Sequence, residues 1–369
     1  MRIGIVSKWS ASGQAVVARQ IRSALDELGH ETFVLARPGS GPRAELAATA
    51  PADPVWDQPG VTRGSQHEID GAEYRAWAES CGLDAVLCDE NYQWDEIGSL
   101  RALGVRTIGR FVWEYFGPDS VGPARATYEA IYSLHRGERD RYAALGIDSP
   151  YVQWGLHPEL LEAAAAAHGA AGRGDREAQD PALIRFYFPG SYLGRRKPVR
   201  KVIKAFRKAQ GDHLRLLINA QVPRNDELLR AAAAADPRIE LALEDEPEAE
   251  HRRRFAACDV CLAPSRWEGL GLPLFEATAF GLPIISNDKP PMSELVLDGR
   301  SGILVPSERN GETRSGLPAW DPDVAAMTAA IERLGDRGEL ERMAAGVREL
   351  QEQRAWSHTV EGLAALLAS

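Results

Sequence analysis

The sequence predicts an α/β protein built from two doubly wound domains. The chain has 369 residues, more than one ordinary hydrophobic core requires. Short runs rich in β-branched residues alternate with stretches whose apolar residues recur at helical spacing, which is the pattern of βαβ units on a parallel sheet. Around residues 162–182 this alternation gives way to an Ala-, Gly- and charge-rich stretch, and it then resumes. We therefore expect one domain on each side of that stretch.

The first domain is predicted to cover residues 1–165. Its first strand, RIGIV, is followed by a loop and by the helical segment GQAVVARQIRSALDELG, which ends at Gly29. Further strands are predicted at TFVLA, DAVLC, VRTIGRFV and YVQW. Residues 166–182 have no strand character and are predicted to be the linker.

The second domain is predicted to cover residues 183–353. Its strands are LIRFYFPG, HLRLLINA, RIELAL, DVCLAP, PIISN and GILVP, and two helices are expected near 321–334 and 337–353. A last helix lies in the C-terminal segment 354–369. Ligands of such sheets bind at the carboxyl ends of the strands, so a ligand cleft between the two sheets is expected.

Composition and charge exclude several classes of protein. Hydrophobic residues make up 44% of the chain and charged residues 26%, as in globular proteins. No apolar run is long enough to predict a membrane-spanning helix, and the N-terminal residues enter a strand directly, without the pattern of a secretion signal. The predicted location is the cytoplasm. A net charge of −10 disfavours binding to nucleic acid or to an anionic membrane surface.

The four cysteines do not form a disulfide framework in a chain of this length. Cys258 and Cys261 have C-x-x-C spacing, but they lie in the apolar, strand-like run AACDVCLAPS. A metal knuckle or a redox pair would require a turn at that place. Buried thiols are therefore the prediction.

The stretch SRWEGLGLPLFEA, from Ser265 to Ala277, follows a predicted buried strand. Its glycines predict a turn, and Pro273 fits the first position of a helix that stops at Gly281. Free N–H groups at such a helix start favour an anion, and the carboxylates of Glu268 and Glu276 can accept hydrogen bonds from a sugar diol. This combination suits a sugar nucleotide. A plain Gly-Pro turn with two solvated glutamates fits the same spacing.

Longer segments carry a resemblance to a known family. SRWEGLGLPLFEATAFGLPIISND resembles the E-x7-E segment of retaining glycosyltransferases of the GT-B fold, family 4 type, and PPMSELVLDGRSGILVP is similar to its continuation. QWGLHPE, at 153–159, is similar to the turn that closes the family's first domain, and AWSHTVEGLAALL resembles its final helix, which packs back on that domain. The resemblance implies two Rossmann-like domains that face each other across a cleft.

The resemblance also implies roles for the residues of the E-x7-E segment. Glu276 would bind the ribose of the donor, and Glu268 would contact the hydroxyls of the transferred sugar. The residues whose main chain would line the sugar and diphosphate are Gly269, Leu270, Gly271 and Leu272.

In the basic loop of the second domain, FPGSYLGRRKPVRKVIKAF, Pro198 fits a first helical position. The family has a lysine at the place of Lys197, next to the donor phosphates. Its arginine corresponds to Ser191 here, so Arg195 or Arg196 would replace it. The resemblance thus makes Lys197 and Arg196 catalytic candidates with Glu268, and Arg195 a donor-binding candidate.

On the acceptor side, the resemblance places Gly13, in the loop SKWSASGQ, near the donor. The family often has a histidine where this chain reads TIGRFVWEYFG, so Arg110, Trp113 or Glu114 would occupy that region. His135 is predicted to be structural. The acidic stretch CDENYQWDE could bind a metal ion or acceptor hydroxyls, but a polar strand-to-helix loop is the favoured interpretation.

The resemblance implies transfer of a sugar from a nucleotide sugar, UDP- or GDP-linked, to an acceptor hydroxyl with retention of anomeric configuration. The acceptor would be a glycan, a lipid-linked sugar, a protein or a small molecule, and neither a metal ion nor another cofactor is expected. Two alternatives stay open: a non-catalytic sugar-nucleotide-binding partner of another transferase, and a sugar-nucleotide epimerase of the same fold. A nicotinamide enzyme is disfavoured, because no G-x-G-x-x-G follows the first strand.

Overall fold

The computed structural model describes residues 1–10, 12–39, 55–171, 180, 182–221, 226–244 and 248–369. The chain divides into two compact units. The first comprises Met1–Trp154 together with Ser357–Ser369, and the second comprises Gly155–Trp356. Each unit contains a six-stranded sheet whose described strand pairs are all parallel, which confirms the predicted α/β class.

In the first unit, the sheet has the strand order β3-β2-β1-β4-β5-β6. Its strands are β1 (Arg2–Lys8), β2 (Glu31–Arg37), β3 (Val61–Arg63), β4 (Ala85–Asp89), β5 (Arg106–Arg110) and β6 (Ala130–Ile131). The helices are α1 (Gly13–Glu27), α2 (Gly71–Cys81), α3 (Trp94–Gly98), α4 (Pro118–Thr127), α5 (Arg136–Ala144), the short 3-10 helix Ser99–Leu103 and the C-terminal helix Ser357–Ala368. The central strands are buried along their length, as expected for apolar runs in a parallel sheet.

In the second unit, the strand order is β12-β11-β10-β7-β8-β9. The strands are β7 (Ile184–Tyr192), β8 (Leu214–Gln221), β9 (Ile239–Ala242), β10 (Val260–Leu262), β11 (Ile284–Asn287) and β12 (Gly302–Val305). The helices are α6 (Pro158–Ala171), α7 (Val199–Lys208), α8 (Glu227–Ala235), α9 (Glu248–Ala256), α10 (Leu272–Ala279), α11 (Val324–Leu334), α12 (Arg337–Gln353) and the short 3-10 helix Met292–Glu294. An antiparallel hairpin of β13 (Ser307–Glu312) and β14 (Pro318–Pro322) completes the unit.

The strand order reverses at one place in each sheet. In the first sheet the reversal lies between β1 and β4, and in the second it lies between β7 and β10. Loops that leave the carboxyl ends of two such strands diverge to opposite sides and leave a crevice where ligands bind. The loops that follow β7 and β10, and those that follow β1 and β4, are therefore the places where the topology favours a site.

Several predicted elements differ from those observed. The segment YVQW is not a strand: Tyr151 makes a single bridge to Ser133, because the chain here runs beyond the end of the two-residue edge strand β6. The edge strand β3 and the β13–β14 hairpin were not predicted, since β3 and β13 are short, polar and largely exposed. Helix α6 reaches Ala171, inside the predicted linker, and residues 172–179 and 181 of that linker lie outside the described residues.

Two proline positions are also shifted by one residue. Pro273 is the second residue of α10, and Pro198 is the residue that immediately precedes α7. Both prolines lie at the start of a helix, where the N–H groups have no partner within the helix. The missing proline N–H therefore costs no helical hydrogen bond at either place.

All four cysteines are free thiols, and Cys258 and Cys261 are buried, as predicted. Burial raises the pKa of both thiols above the ordinary range, so they remain protonated and unreactive. No helix in the described part of the chain is both long enough and apolar enough to cross a lipid bilayer.

Candidate functional site

The segment from Ser265 to Ala277 forms a turn and a helix directly after β10, which ends at Leu262. Helix α10 begins at Leu272, and Gly271 occupies its N-cap position with φ of 83°. Because side chains are strained in this left-handed conformation, glycine is the residue that fits there. The turn carries Glu268, and the helix carries Glu276.

Glu268 is the centre of a buried ionic cluster and is only 3% exposed. Its Oε1 accepts hydrogen bonds from Lys197 Nζ at 2.5 Å and from Ser265 Oγ at 2.8 Å. Its Oε2 accepts one from Arg196 Nη1 at 3.0 Å. Lys197 Nζ also donates to Ser265 Oγ at 2.9 Å, which closes a three-membered network. Two cations thus face one carboxylate, and the cluster has a net positive charge.

The charge state of Glu268 follows from these partners. Burial by itself would raise the pKa of this carboxyl, but the Lys197 ammonium and the Arg196 guanidinium lower it to about 2. Glu268 is therefore ionised at neutral pH. Its contribution to stability is fully present above the ordinary value of 4.5 and is lost as the pH falls towards 2.

The two cations come from the loop between β7 and α7, so they reach the turn from the neighbouring strand. The amide of Arg266 donates to the carbonyl of Arg196 at 2.8 Å and joins the two loops. Lys197 is almost completely buried, whereas the side chain of Arg196 is 32% exposed. Of the two cations, Arg196 is therefore the one that solvent or a ligand can reach.

The two arginine candidates of this loop differ in environment. Arg195 is exposed, and its carbonyl accepts a hydrogen bond from Arg266 Nη1 at 3.3 Å. Arg196 instead contacts Glu268. Ser191 lies in β7, but its side chain is outside the described part of the structure.

The β13–β14 hairpin supports the same turn from its other side. Arg266 Nε donates to Asp321 Oδ1 at 2.5 Å, and the amide of Trp320 donates to the carbonyl of Arg266 at 2.8 Å. The amide of Ser265 donates to Asn287 Oδ1 at 3.0 Å, and Asn287 Nδ2 donates to the Trp320 carbonyl at 3.2 Å. The hairpin and the end of β11 therefore hold the backbone of the turn that carries Glu268.

The predicted main-chain positions 269–272 form the end of this turn and the start of α10. Leu270 and Gly271 are buried, whereas Gly269 and Leu272 are half-buried. Gly269 and Leu272 are therefore the partly exposed positions of this stretch.

Glu276 lies one turn into α10 and is separate from the Glu268 cluster in its contacts. Its Oε2 is 3.5 Å from His251 Nε2, and its side chain is 33% exposed. On the other side of the imidazole ring, the hydroxyl of Tyr187 lies 2.9 Å from His251 Nδ1. No local pattern indicated His251, which lies in the charge-rich run EAEHRRRF, a pattern typical of a solvated helix face.

In the first unit, Arg110 is not an exposed side chain but half of a buried ion pair. Its Nη1 donates to Asp89 Oδ1 at 2.7 Å, and Ser7 Oγ donates to Asp89 Oδ2 at 3.3 Å. Arg110 is 3% exposed and Asp89 is 4% exposed. Burial alone would lower the pKa of Arg110, but Asp89 and the nearby Glu138 raise it above its ordinary value. The pair joins the ends of β4 and β5.

The other acceptor-side candidates are also enclosed. Trp113 is 6% exposed and Glu114 is 8% exposed, and the Trp113 ring meets His135 edge-on at 4.7 Å. His135 Nδ1 accepts from the Glu138 amide at 3.1 Å and caps α5, the structural role predicted for it. Gly13 is the exposed first residue of α1. The most exposed side chain of the loop after β5 is Tyr115, at 64%.

Glu90 is a residue that the sequence reasoning did not single out. It follows β4 at the reversal of strand order, and its φ of 51° is the only positive φ of a non-glycine residue in the described ranges. Its half-buried carboxylate accepts a hydrogen bond from the amide of Val112. Burial, and then the negative charge of Asp89, raise the pKa of this carboxyl to about 8. Backbone conformations of this kind concentrate at functional sites.

Glu90→Gln is expected to change how stability depends on pH. The folded-state pKa of about 8 lies above the ordinary value of 4.5, so the stability due to the protonated carboxyl is complete below 4.5 and is lost as the pH rises through 8. Glutamine does not ionise, and the variant should gain stability relative to wild type as the pH rises from 5 to 9. Urea unfolding at three pH values measures this. Asp95→Asn, an exposed change in the same stretch, is the control, and a difference that is constant with pH would contradict the assignment.

The four acids of CDENYQWDE do not converge on one point. Asp89 is paired with Arg110 and Glu90 with a backbone amide, while Asp95 and Glu96 lie in the first turn of α3. Within the described ranges, no group of three or more His, Cys, Asp or Glu side chains is arranged to hold a metal ion.

Comparison with known proteins finds a family model that matches within the second unit. The profile of the family described as "Glycosyl transferases group 1" matches residues 184–336. The D-inositol 3-phosphate glycosyltransferase of Nocardia farcinica is 31% identical over 189 residues, which cover 47% of this chain and 38% of that protein. The chain thus spans well under half the length of this curated relative.

Solved structures match over the whole chain. Sucrose-phosphate synthase from Thermosynechococcus elongatus superposes with a TM-score of 0.73 at 17% identity, covering 100% of this chain and 98% of that chain. Anabaena HepE in complex with UDP and glucose superposes with a TM-score of 0.66 at 13% identity, covering 100% and 99%. At these identities the comparison shows the fold, which is the GT-B fold predicted from the sequence.

Proposed function

We propose that this chain, whose residues 184–336 match the family described as "Glycosyl transferases group 1", is a retaining glycosyltransferase. It would move a sugar from a nucleotide-sugar donor to an acceptor hydroxyl. The observation that carries the proposal is the buried Glu268 carboxylate, held by Lys197 and Arg196 where the strand order of the second sheet reverses. An ionic cluster of this kind has a high desolvation cost, so a bound ligand is a better reason for it than stability.

Each part of this site then has a role in donor binding. The net positive charge of the cluster and the N-terminus of α10 stabilise the negative charge that develops on the leaving diphosphate. Arg196 is the cation that contacts phosphate, because its side chain is partly exposed, while the buried Lys197 holds Glu268 in place. Glu268, which is as buried as Lys197, aligns the two cations beside the transferred sugar, and Glu276 accepts hydrogen bonds from the ribose.

The proposed reaction retains the anomeric configuration. The acceptor oxygen bonds to the anomeric carbon from the face that the diphosphate leaves, and the bond from that carbon to the diphosphate oxygen breaks. The acceptor proton passes to the released diphosphate oxygen. The positive charge that this step requires comes from Lys197 and Arg196, and the proposal includes no metal ion or cofactor.

A UDP- or GDP-sugar is the proposed donor. UDP is bound in the structure of Anabaena HepE and in that of the pneumococcal O-GlcNAc transferase GtfA, which resemble this chain in fold. The proposed acceptor is a hydroxyl of a glycan, a lipid-linked sugar, a protein or a small molecule, and the proposed location is the cytoplasm.

A thermal-shift screen of UDP-, GDP-, ADP- and dTDP-sugars tests the proposal. The matching donor should raise Tm in a concentration-dependent manner, because a ligand that binds only the folded state stabilises it. Incubation of that donor with candidate acceptors, followed by NMR of the anomeric proton in the product, then tests transfer and retention.

The outcomes separate the alternatives. No shift with any donor would contradict the donor site. A shift without transfer to any acceptor would favour a non-catalytic sugar-nucleotide-binding partner, and conversion of the donor alone to its epimer would favour an epimerase. A product with inverted configuration would contradict the retaining mechanism alone.

A further inference from the structure

The geometry around Glu276 points to His251 as a positioning residue, held by Tyr187, that orients the Glu276 carboxylate for the donor ribose. This inference rests on the proposed function, in which Glu276 binds ribose. It adds two residues that lie outside the E-x7-E segment, one in β7 and one in α9.

The three side chains form a chain of polar contacts that runs from β7 through α9 to α10. The Tyr187 hydroxyl lies 2.9 Å from His251 Nδ1, and His251 Nε2 lies 3.5 Å from Glu276 Oε2. Tyr187 is completely buried in β7, so the packing around it holds its hydroxyl in one position. The imidazole ring packs edge-on against Phe255 at 5.2 Å, which limits its rotation.

The Glu276 carboxylate can only accept hydrogen bonds, so it favours a proton on Nε2 of His251. If the imidazole is neutral, Nδ1 is then an acceptor, and the Tyr187 hydroxyl can donate to it. If the imidazole is protonated, Nδ1–H donates to the tyrosine oxygen and Nε2 still carries a proton. In both states an N–H therefore faces Glu276, and the orientation of the carboxylate does not depend on the charge of the ring.

The charges around His251 agree with this arrangement. Burial by itself lowers the pKa of His251, but the hydrogen bond and the negative charge of Glu276 raise it, with a further contribution from Glu248. Arg252, on the same helix, opposes this, and the net effect is a pKa above the ordinary value.

The contact also determines which part of the carboxylate is available to a ligand. His251 engages Oε2, and no described residue donates a hydrogen bond to Oε1. The Glu276 side chain is one-third exposed, so a ligand can approach it. A carboxylate with one oxygen held and the other available can accept a diol hydroxyl without first losing rotational freedom, which lowers the cost of binding.

A comparison of ribose and dideoxyribose nucleotides tests the inference. The dissociation constants of UDP, GDP and their 2′,3′-dideoxy forms are measured by calorimetry for wild type, His251→Ala, His251→Gln and Tyr187→Phe. Wild type should bind the preferred nucleotide about 10-fold or more tightly than its dideoxy form, since a site built for hydroxyls rejects a ligand that lacks them. In His251→Ala this ratio should fall to about 2 or less, because the variant loses only ribose affinity.

His251→Gln should keep most of the ratio, because its amide N–H can replace Nε2–H, and Tyr187→Phe should give an intermediate ratio. Glu276→Ala should bind the ribose and dideoxyribose nucleotides equally well, with a ratio of about 1. His213→Ala is the matched control and should not change it, since His213 bonds instead to the Gly335 carbonyl at 3.0 Å. A wild-type ratio in both His251 variants and in Tyr187→Phe would overturn the inference while leaving the proposed function intact. If wild type bound no nucleotide, the donor site and the inference would both fall.

Discussion

Lys197→Ala should remove nearly all glycosyl transfer, with a fall in kcat of about 100- to 1000-fold, the usual effect of losing one preorganised charge partner in an active site. It should also destabilise the second unit by about 3–5 kcal/mol, because it leaves the buried Glu268 carboxylate with one cation instead of two. Lys197 is 4% exposed and Glu268 is 3% exposed, so water does not replace the lost ammonium without structural change. Donor turnover and urea unfolding measure the two effects.

A double-mutant cycle separates the interaction energy of Lys197 and Glu268 from other effects of each substitution on stability. The double variant Lys197→Met/Glu268→Gln should lose less stability than the sum of the losses in the two single variants, because it removes both buried charges and leaves only Arg196, which is partly exposed. Lys204→Ala, an exposed change on α7, is the control and should resemble wild type. Wild-type melting and turnover in Lys197→Ala would contradict the site. In wild type, the stability that the pair contributes should fall as the pH falls from about 4.5 towards 2, because Glu268 gains a proton near 4.5 in the unfolded state but only near 2 in the folded state.

Glu276→Ala should weaken donor binding with little loss of stability. The side chain is one-third exposed and its contact is a single histidine, so removal costs the fold little. The loss of hydrogen bonds to a charged group should cost about 1.5–3 kcal/mol of binding, which is roughly 10- to 150-fold in donor affinity. Calorimetry with the donor found by the thermal-shift screen measures this.

Two further variants make the Glu276 result specific. Glu276→Gln keeps the size of the side chain and one acceptor oxygen, and it should fall between alanine and wild type. Glu341→Ala, an exposed change on α12, should bind the donor as wild type does. Donor affinity that is unchanged in Glu276→Ala would remove the ribose role and, with it, the reason for His251 to be placed there.

The sequence predicted the fold because buried parallel strands have a distinct local pattern. Runs such as RIGIV and RFYF are apolar on both faces, and the helices between them have one apolar face, so the alternation needs no tertiary information. The β13–β14 hairpin was missed for the same physical reason: SERNGE is exposed and polar, and its pairing depends on Arg266 and Asp321, which are distant in sequence from each other.

The candidate site was predicted only in part. Lys197 and Glu268 could be named from their local motifs, although 71 positions separate them, and the structure brings them together. The burial of Arg110 could not be foreseen, since it depends on Asp89 as a partner from another strand. His251 gave no local signal, because it acts through residues of two other elements. Glu90 was not separated from the other acids of CDENYQWDE, because a backbone angle distinguishes it.

The support of the Ser265 turn by Asn287 and the β13–β14 hairpin has a consequence for protein engineering. Residues 265–277 are not a portable module, because their backbone is held by side chains and main-chain atoms that come later in the chain. A chimera that imports this segment alone from a relative would contain the acidic residues without the contacts that hold their backbone in place. The smallest unit that can be exchanged between this chain and a relative is therefore the turn, Asn287 and the hairpin together.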